Sequence, residues 1–392
     1  MKTLFLLMFL LIFPFTSVLA NEEGIPFDAN RGVNLGGWVA NAVRQPLDAR
    51  DAALIKNAGF DYVRLPYNPS RFGFDIDNPN KKEPVPNIAA LDDALALLME
   101  HGLNVVLDMH IDTSLRVKVE GNDALEDAMI SLWHYLSARY SVQYPPERLA
   151  FQLLNEPQYY HKIPAWNRFQ KRLWRSVRLA APKHTIIASP PIGGNTRTFG
   201  LEDTTLLPDK NVIYTFPFYE PFIISHQGEW NIRQNSKHAF GRISALPYPA
   251  VLSLNQRYNI IGDDIPQSAI REAVFSYQEE NWDESVIRER LRLAAEWASK
   301  RRVPLMICEF GAMDETSGTD KDSRLRYLRD VRKAAESYGI PWTVWNYTDM
   351  MGITVMNGET ETTRDGAIVF VNPSEGYRTF EPEMLEALGL AP

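Results

Sequence analysis

Apolar residues recur along the chain with two alternating periods. In some stretches they return every three or four positions, as on one face of a helix. These alternate with short runs that are apolar almost throughout, as in strands covered on both faces. The join between the two is repeatedly the same. "ALIKNAGFDYVRLP", "LLMEHGLNVVLDMH" and "RKAAESYGIPWTVWNY" each pass from a helical pattern through a glycine (Gly59, Gly102, Gly339) into a strand. Glycine is the residue that stops a helix in the left-handed conformation, and joins this short belong to α/β units. The pattern predicts eight strands, at 32–35, 62–66, 105–110, 150–155, 185–189, 212–218, 305–310 and 342–347. The helices between them include 88–101, 166–181, 284–300 and 323–337.

Eight strands alternating with helices predict an α/β fold, a single (β/α)8 barrel of the TIM type. The competing arrangement is an open doubly wound sheet, but the GxGxxG turn of dinucleotide binders is missing. Strand six ends near Tyr219 and the next helical pattern starts near Glu284. A long insertion therefore follows strand six. In a barrel it lies among the strand-to-helix loops that build the active face.

Composition changes this picture little. With 392 residues, 45% of them hydrophobic, the chain can bury a sizeable core, and a net charge of -8 argues against nucleic acid as a partner. The start differs from the rest. In "MKTLFLLMFLLIFPFTSVLA" a positive Lys2 precedes an apolar run, and Val18-Leu19-Ala20 has the look of a cleavage site. The expectation is a signal peptide over 1–20 and a mature catalytic domain over 21–392, secreted or periplasmic, soluble and monomeric. An uncleaved anchor is the alternative, although the run is short for a spanning helix. Cys308 is the only cysteine, so an intrachain disulfide is excluded. With no activating histidine near it in sequence, a buried structural role is expected.

Candidate chemistry gathers where the strands end. Arg64 ends strand two, Asp108 and His110 end strand three, and Asn155 and Glu156 end strand four ahead of Pro157. Tyr219 ends strand six, Glu309 strand seven and Trp345 strand eight. Six strands that present polar or aromatic side chains at one rim predict a site there. Two carboxylates facing each other across a rim suit glycosidic bond cleavage. One carboxyl protonates the leaving oxygen while the other attacks the sugar carbon or activates a water. Glu156 and Glu309, on strands four and seven, should face each other at about 5–5.5 Å if the geometry is the retaining one. Trp38, Tyr67, Trp166, Trp230 and Trp345 lie in or near strand-to-helix segments and are candidates to stack on sugar rings.

In this order the motifs "RGVNLGGW", "GFDYVRLPY", "LNVVLDMH", "LLNEP", "FYEPFIISHQG", "CEFG" and "VWNY" resemble glycoside hydrolase family 5, the cellulase-like group. The resemblance covers nearly the whole mature chain. It implies that Glu156 is the acid/base, Glu309 the nucleophile and Asn155 a ligand of the sugar 2-hydroxyl. It implies further that Arg64 keeps the nucleophile ionised, that His110 and Tyr219 line the site, and that Trp345 is the sugar platform. No metal or cofactor is implied, and the partner is a polysaccharide or oligosaccharide substrate. His226 and Trp230 in the insertion, with Trp38 after strand one, are further candidate contacts. The chain departs from the family at Pro217, where the pattern has a histidine two residues before the tyrosine. A catalytically weak, sugar-binding barrel is the second functional reading. "DMHID" also allows Asp108, His110 and Asp112 to be metal ligands.

Overall fold

The computed structural model describes residues 25–36, 47–72, 88–159, 161–193, 204–229, 239–250, 258–260, 266–362 and 368–391. Eight parallel strands close into a barrel: β1 Arg31–Asn34, β2 Tyr62–Tyr67, β3 Asn104–Met109, β4 Leu149–Gln152, β5 Thr185–Ala188, β6 Val212–Pro217, β7 Leu305–Phe310 and β8 Trp342–Val344. They are hydrogen-bonded in that order, with β8 returning to β1. The surrounding helices are α1 Ala49–Asn57, α2 Ile88–Glu100, α3 Thr113–Val119, α4 Asp123–Ser141, α5 Ile163–Ala180, α6 Phe222–Ser225, α7 Gln267–Glu279, α8 Glu284–Arg301, α9 Lys321–Ser337 and α10 Pro382–Ala387. The fold is the (β/α)8 barrel that the alternation predicts. The three glycines at the joins take positive φ values of 96°, 77° and 64°.

Side chains alternate across each strand, and the alternation separates two cores. Outward residues meet the helices. On α5, for instance, Trp166, Phe169, Leu173 and Val177 are buried at spacings of three and four, each contributing roughly 1.5–3 kcal/mol. Inward residues fill the barrel. Tyr62, Val106, Ala150, Ile187, Ile213 and Met306 form its lower layer, and Phe27 and Ala29, just ahead of β1, pack into that layer from below. The polar layer above them carries the site.

Strand seven breaks the alternation at a decisive place. Phe216 and Pro217 are consecutive on β6, but they pair with Ile307 and Glu309. Against β8, Trp342 and Val344 pair with Ile307 and Phe310. β7 thus holds one more residue than either neighbour, a bulge at Cys308–Glu309. Bulges re-aim side chains near active sites. Here Ile307 and Phe310 stay in the helix-side core, while Glu309 turns inward to Arg64.

The strands expected to run to 155 and 347 end earlier, at Gln152 and Val344. Beyond them the backbone is still pinned, with Asn155 N donating to Met109 O at 2.9 Å and Trp345 N to Phe310 O at 2.7 Å. It has left the ladder in order to turn into the rim loops. The insertion after β6 contains α6, a 3-10 turn Ala239–Arg242, a short antiparallel pair Ile243–Ser244 with Asn259–Ile260, and α7, which the sequence reading left inside the insertion. After β8 two further antiparallel pairs form, Thr354–Asn357 with Tyr377–Phe380 and Thr360–Thr362 with Ile368–Phe370. The first docks onto α1, where Asp51 accepts from Arg378 Nη1 at 3.0 Å and from Tyr347 Oη at 2.7 Å.

Candidate active site

Arg64 is fully buried and all five of its N–H donors meet oxygens. Nε donates to Gln152 Oε1 at 2.8 Å. Nη1 donates to Asn34 Oδ1 at 2.8 Å and Glu309 Oε1 at 2.9 Å. Nη2 donates to Asn155 Oδ1 at 2.8 Å and pairs with Asp108 Oδ2 at 2.9 Å. Burial opposes the charge, but Asp108 and Glu309 on either side more than restore it and hold the guanidinium above its ordinary pKa. The partners come from β1, β3, β4 and its extension, and β7, so one side chain fixes the floor of the site.

Glu309 is held at both oxygens, Oε1 by Arg64 and Oε2 by the Tyr219 hydroxyl at 3.0 Å. Burial and the neighbouring Glu309 and Glu156 carboxylates push the Tyr219 phenol well above its usual value, so it remains a donor. Glu156 stands in the loop after β4 with φ at 38°, a conformation that non-glycine residues adopt mainly where the surroundings impose it. Part of that surrounding is Gly193 after β5. A Cβ on Gly193 would lie 2.6 Å from both Cα and Cβ of Glu156. The Glu156 side chain is 24% exposed and faces Arg116 Nη1 at 3.7 Å. Burial first, and the Glu309 charge second, push its carboxyl above the usual glutamate range.

Around the pair, His110 Nδ1 donates to Asp108 Oδ2 at 3.1 Å, and Nε2 accepts from the Asn155 amide at 3.2 Å. The two contacts together select the Nδ1–H tautomer. Trp345 stacks on His110 with ring centroids 5.6 Å apart and an interplanar angle of 28°. His226 lies behind Tyr219, edge-on at 5.0 Å, and also packs against Phe222. Its Nδ1 bonds to Ser225 Oγ at 2.8 Å, and burial lowers its pKa to about 4, so the ring is neutral near pH 7. Pro217, the departure from the expected histidine, is buried at the end of β6 opposite Glu309.

Arg64, His110, Asn155, Glu156, Tyr219, Glu309 and Trp345 therefore converge, with His226 one ring behind. Trp38 and Trp230 lie outside the described residues, as does the leader expected over 1–20. Trp166 and Tyr67 are core residues, both fully buried. The two carboxylates of "DMHID" are engaged with other partners. Asp108 pairs with Arg64, and Asp112 caps α3 by accepting from Leu115 N at 2.9 Å. Among the described residues no three metal-binding side chains are gathered. Cys308 is buried, as expected, and burial pushes its thiol up. The sequence reading missed Asn34, Gln152, Gly193 and Arg116. Asn34 obeys the same strand-end rule as the others, and Gln152 lies two residues after inward Ala150. Gly193 and Arg116 carry no local signal.

The parallel barrel brings two glutamates, Glu156 and Glu309, to the C-terminal ends of its strands. Residues 20–350 match the cellulase family, glycosyl hydrolase family 5, and the chain belongs to that family of O-glycosyl hydrolases. It is 27% identical over 353 residues to Endoglucanase 3 of Fibrobacter succinogenes, covering 84% of this chain and 51% of that protein, so the chain spans about half the length of that relative. It is 26% identical over 335 residues to Endoglucanase C of Acetivibrio thermocellus, covering 81% of this chain and 91% of that protein. In fold it is similar to the Clostridial cellulose synthase subunit Z from Clostridioides difficile, with a TM-score of 0.67 at 22% identity over 92% of this chain and 99% of that one. Among the described residues no helix is long and apolar enough to cross a membrane.

Proposed function

We propose that the chain is an exported retaining glycosidase that cuts β-linked glucan, of the endo-β-1,4-glucanase type. The observation that carries the reading is the unequal treatment of the two glutamates. Glu309 receives a hydrogen bond at each oxygen, from Arg64 and Tyr219, and so is shaped as an anion. Glu156 sits where burial and the Glu309 charge favour its protonated form. A carboxyl that its surroundings keep protonated, beside one gripped at both oxygens by donors, divides the acid and nucleophile roles between the pair.

A sugar ring rests against Trp345. Glu309 attacks the anomeric carbon from one face while Glu156 gives its proton to the glycosidic oxygen, which leaves as an alcohol. Glu156, now a carboxylate, takes a proton from a water. That water attacks the same carbon and frees Glu309, so the configuration is retained over two displacements. Asn155 has two amide N–H groups and His110 takes one; the other is directed to the 2-hydroxyl of the attacked sugar. His226, packed edge-on behind Tyr219, supports that side of the cleft. The leader over 1–20 is removed after Ala20 and the domain acts outside the cytoplasm.

The test is proton NMR of the first product released from a soluble β-glucan, with the β-anomer expected first. Glu309→Gln and Glu156→Gln should each abolish most turnover; general acid help alone is worth about 10²–10⁴-fold, and on an aryl glycoside with a good leaving group the first step should be spared in Glu156→Gln but not in Glu309→Gln. In the parent enzyme activity should fall as pH rises through the raised pKa of Glu156, because the acid must hold its proton. An α-anomer as first product overturns retention. Binding without turnover on every member of a panel of cellulose, mixed-linkage glucan and mannan favours the sugar-binding reading, which Pro217 motivates.

A further inference from the structure

A partly buried guanidinium beside the cleft has no part in the chemistry above. Arg116 lies on α3, whose start is fixed by Asp112; that carboxylate accepts from Leu115 N and, at 3.3 Å, from Asn68 Nδ2. From this anchored turn the side chain, 12% exposed, reaches in two directions. Nη2 donates to the Ile111 carbonyl at 3.3 Å, and Nη1 stands 3.7 Å from Glu156 Oε2. Its Nε is buried without a hydrogen-bond partner. A separation of 3.7 Å is too long for a hydrogen bond but well within the range over which a cation stabilises a carboxylate.

Among the described residues the charged and titratable groups facing Glu156 are few. Glu309 on β7 repels its ionised form. Arg64 on β2 and Arg116 on α3 attract it, as does His110 after β3 when its ring carries a second proton, and the Tyr219 phenol is bonded to Glu309. Arg64 has all five donors engaged elsewhere. Among the described residues Arg116 is therefore the cation with an open geometry toward the acid.

We propose that Arg116 is a positioning residue for the general acid: anchored on the Ile111 carbonyl, its guanidinium holds the Glu156 carboxyl toward the glycosidic oxygen and stabilises the carboxylate left when the proton departs. The proposal rests on the reading of Glu156 as the acid/base. Burial and Glu309 push the Glu156 carboxyl up, and Arg116 is the largest influence in the opposite direction. The residue thus makes Glu156 a readier acid in the first displacement and a weaker base in the second. The opposition has a role in the cycle. Glu309 loses its charge once the sugar is attached to it, and Arg116 then acts on Glu156 without that repulsion.

The experiment is the pH profile of kcat/KM on a soluble β-glucan for the parent, Arg116→Gln, Arg116→Met and Arg116→Lys, with circular dichroism to check folding. Removing the cation raises the Glu156 pKa. In the two neutral variants the alkaline limb should move up by about one pH unit, the low end of the range for a neighbouring opposite charge because both groups are partly exposed. The acidic limb should stay, and Arg116→Lys should return the alkaline limb toward the parent. On an aryl glycoside with a good leaving group the neutral variants should lose less rate than on the glucan. An unmoved alkaline limb with a uniform loss of rate, or a lysine variant that behaves like the neutral ones, overturns the proposal and leaves Arg116 a packing residue. A parent alkaline limb that survives in Glu156→Gln overturns the acid/base assignment instead, a different outcome read from a different variant.

Discussion

Arg64 shows how much one residue type can dictate. A guanidinium offers five N–H groups in a fixed fork and an ammonium three on a flexible stem. Five oxygens at 2.8–2.9 Å surround Arg64, so lysine cannot satisfy the set, and Asn34, Gln152 or Asn155 would lose its partner while buried. Arg64→Lys should destabilise the protein by about 1–3 kcal/mol for each buried amide left without its hydrogen bond, and lower kcat as the aim of Glu309 loosens. Urea denaturation with parallel kinetics checks both, and a variant with parent stability would show that the network is redundant. In the sequence the glutamates stood out by type and position, as charges at the ends of apolar runs. Arg116 did not, because an arginine on a short helix reads as solvated surface until the loop after β4 brings Glu156 to it.

At the scale of elements, the rule that strand ends carry the chemistry found most of the site, but side-chain parity did not. Regular alternation from inward Met306 puts Cys308 inside and Glu309 outside with Ile307. Only the extra residue in β7 brings Glu309 in, and a bulge has no pattern of its own in a single sequence. β4 departs similarly. Gln152 and Asn155, three apart, both reach Arg64 because the chain leaves the ladder between them. The loop that follows is fitted to its neighbour, since Gly193 lies against the backbone of Glu156 as well as its side chain. Gly193→Ala should therefore displace the acid and lower kcat by at least about 10-fold, since small misplacements of reacting groups are costly, with KM and the fold little changed. Steady-state kinetics decides the matter, and an unchanged kcat would mean that the two loops move apart freely.

Across the whole molecule, the barrel was legible because most of its strands are strongly apolar and three of its helices stop at glycines. The two- to four-residue strands of the small pairs gave too short a run to read, and α7 was hidden because its buried Ile270, Val274 and Tyr277 follow a turn-rich stretch. The lower layer predicts a separation of stability from activity. Phe27 packs edge-on against Tyr62 at 6.2 Å, far below the rim. Phe27→Ala should cost about 3–5 kcal/mol of stability and leave kcat at moderate temperature unchanged. A thermal melt beside an activity assay checks this, and a fall in kcat without a fall in Tm would overturn it. The upper layer behaves otherwise. β2 and β7 are not neighbours in the ladder, yet the Arg64 to Glu309 contact joins them across the interior. A closed hoop with an internal strut resists being squeezed oval, and a force on its wall travels along the strut. The shape of the barrel mouth and the aim of the Glu309 carboxylate are therefore a single mechanical variable.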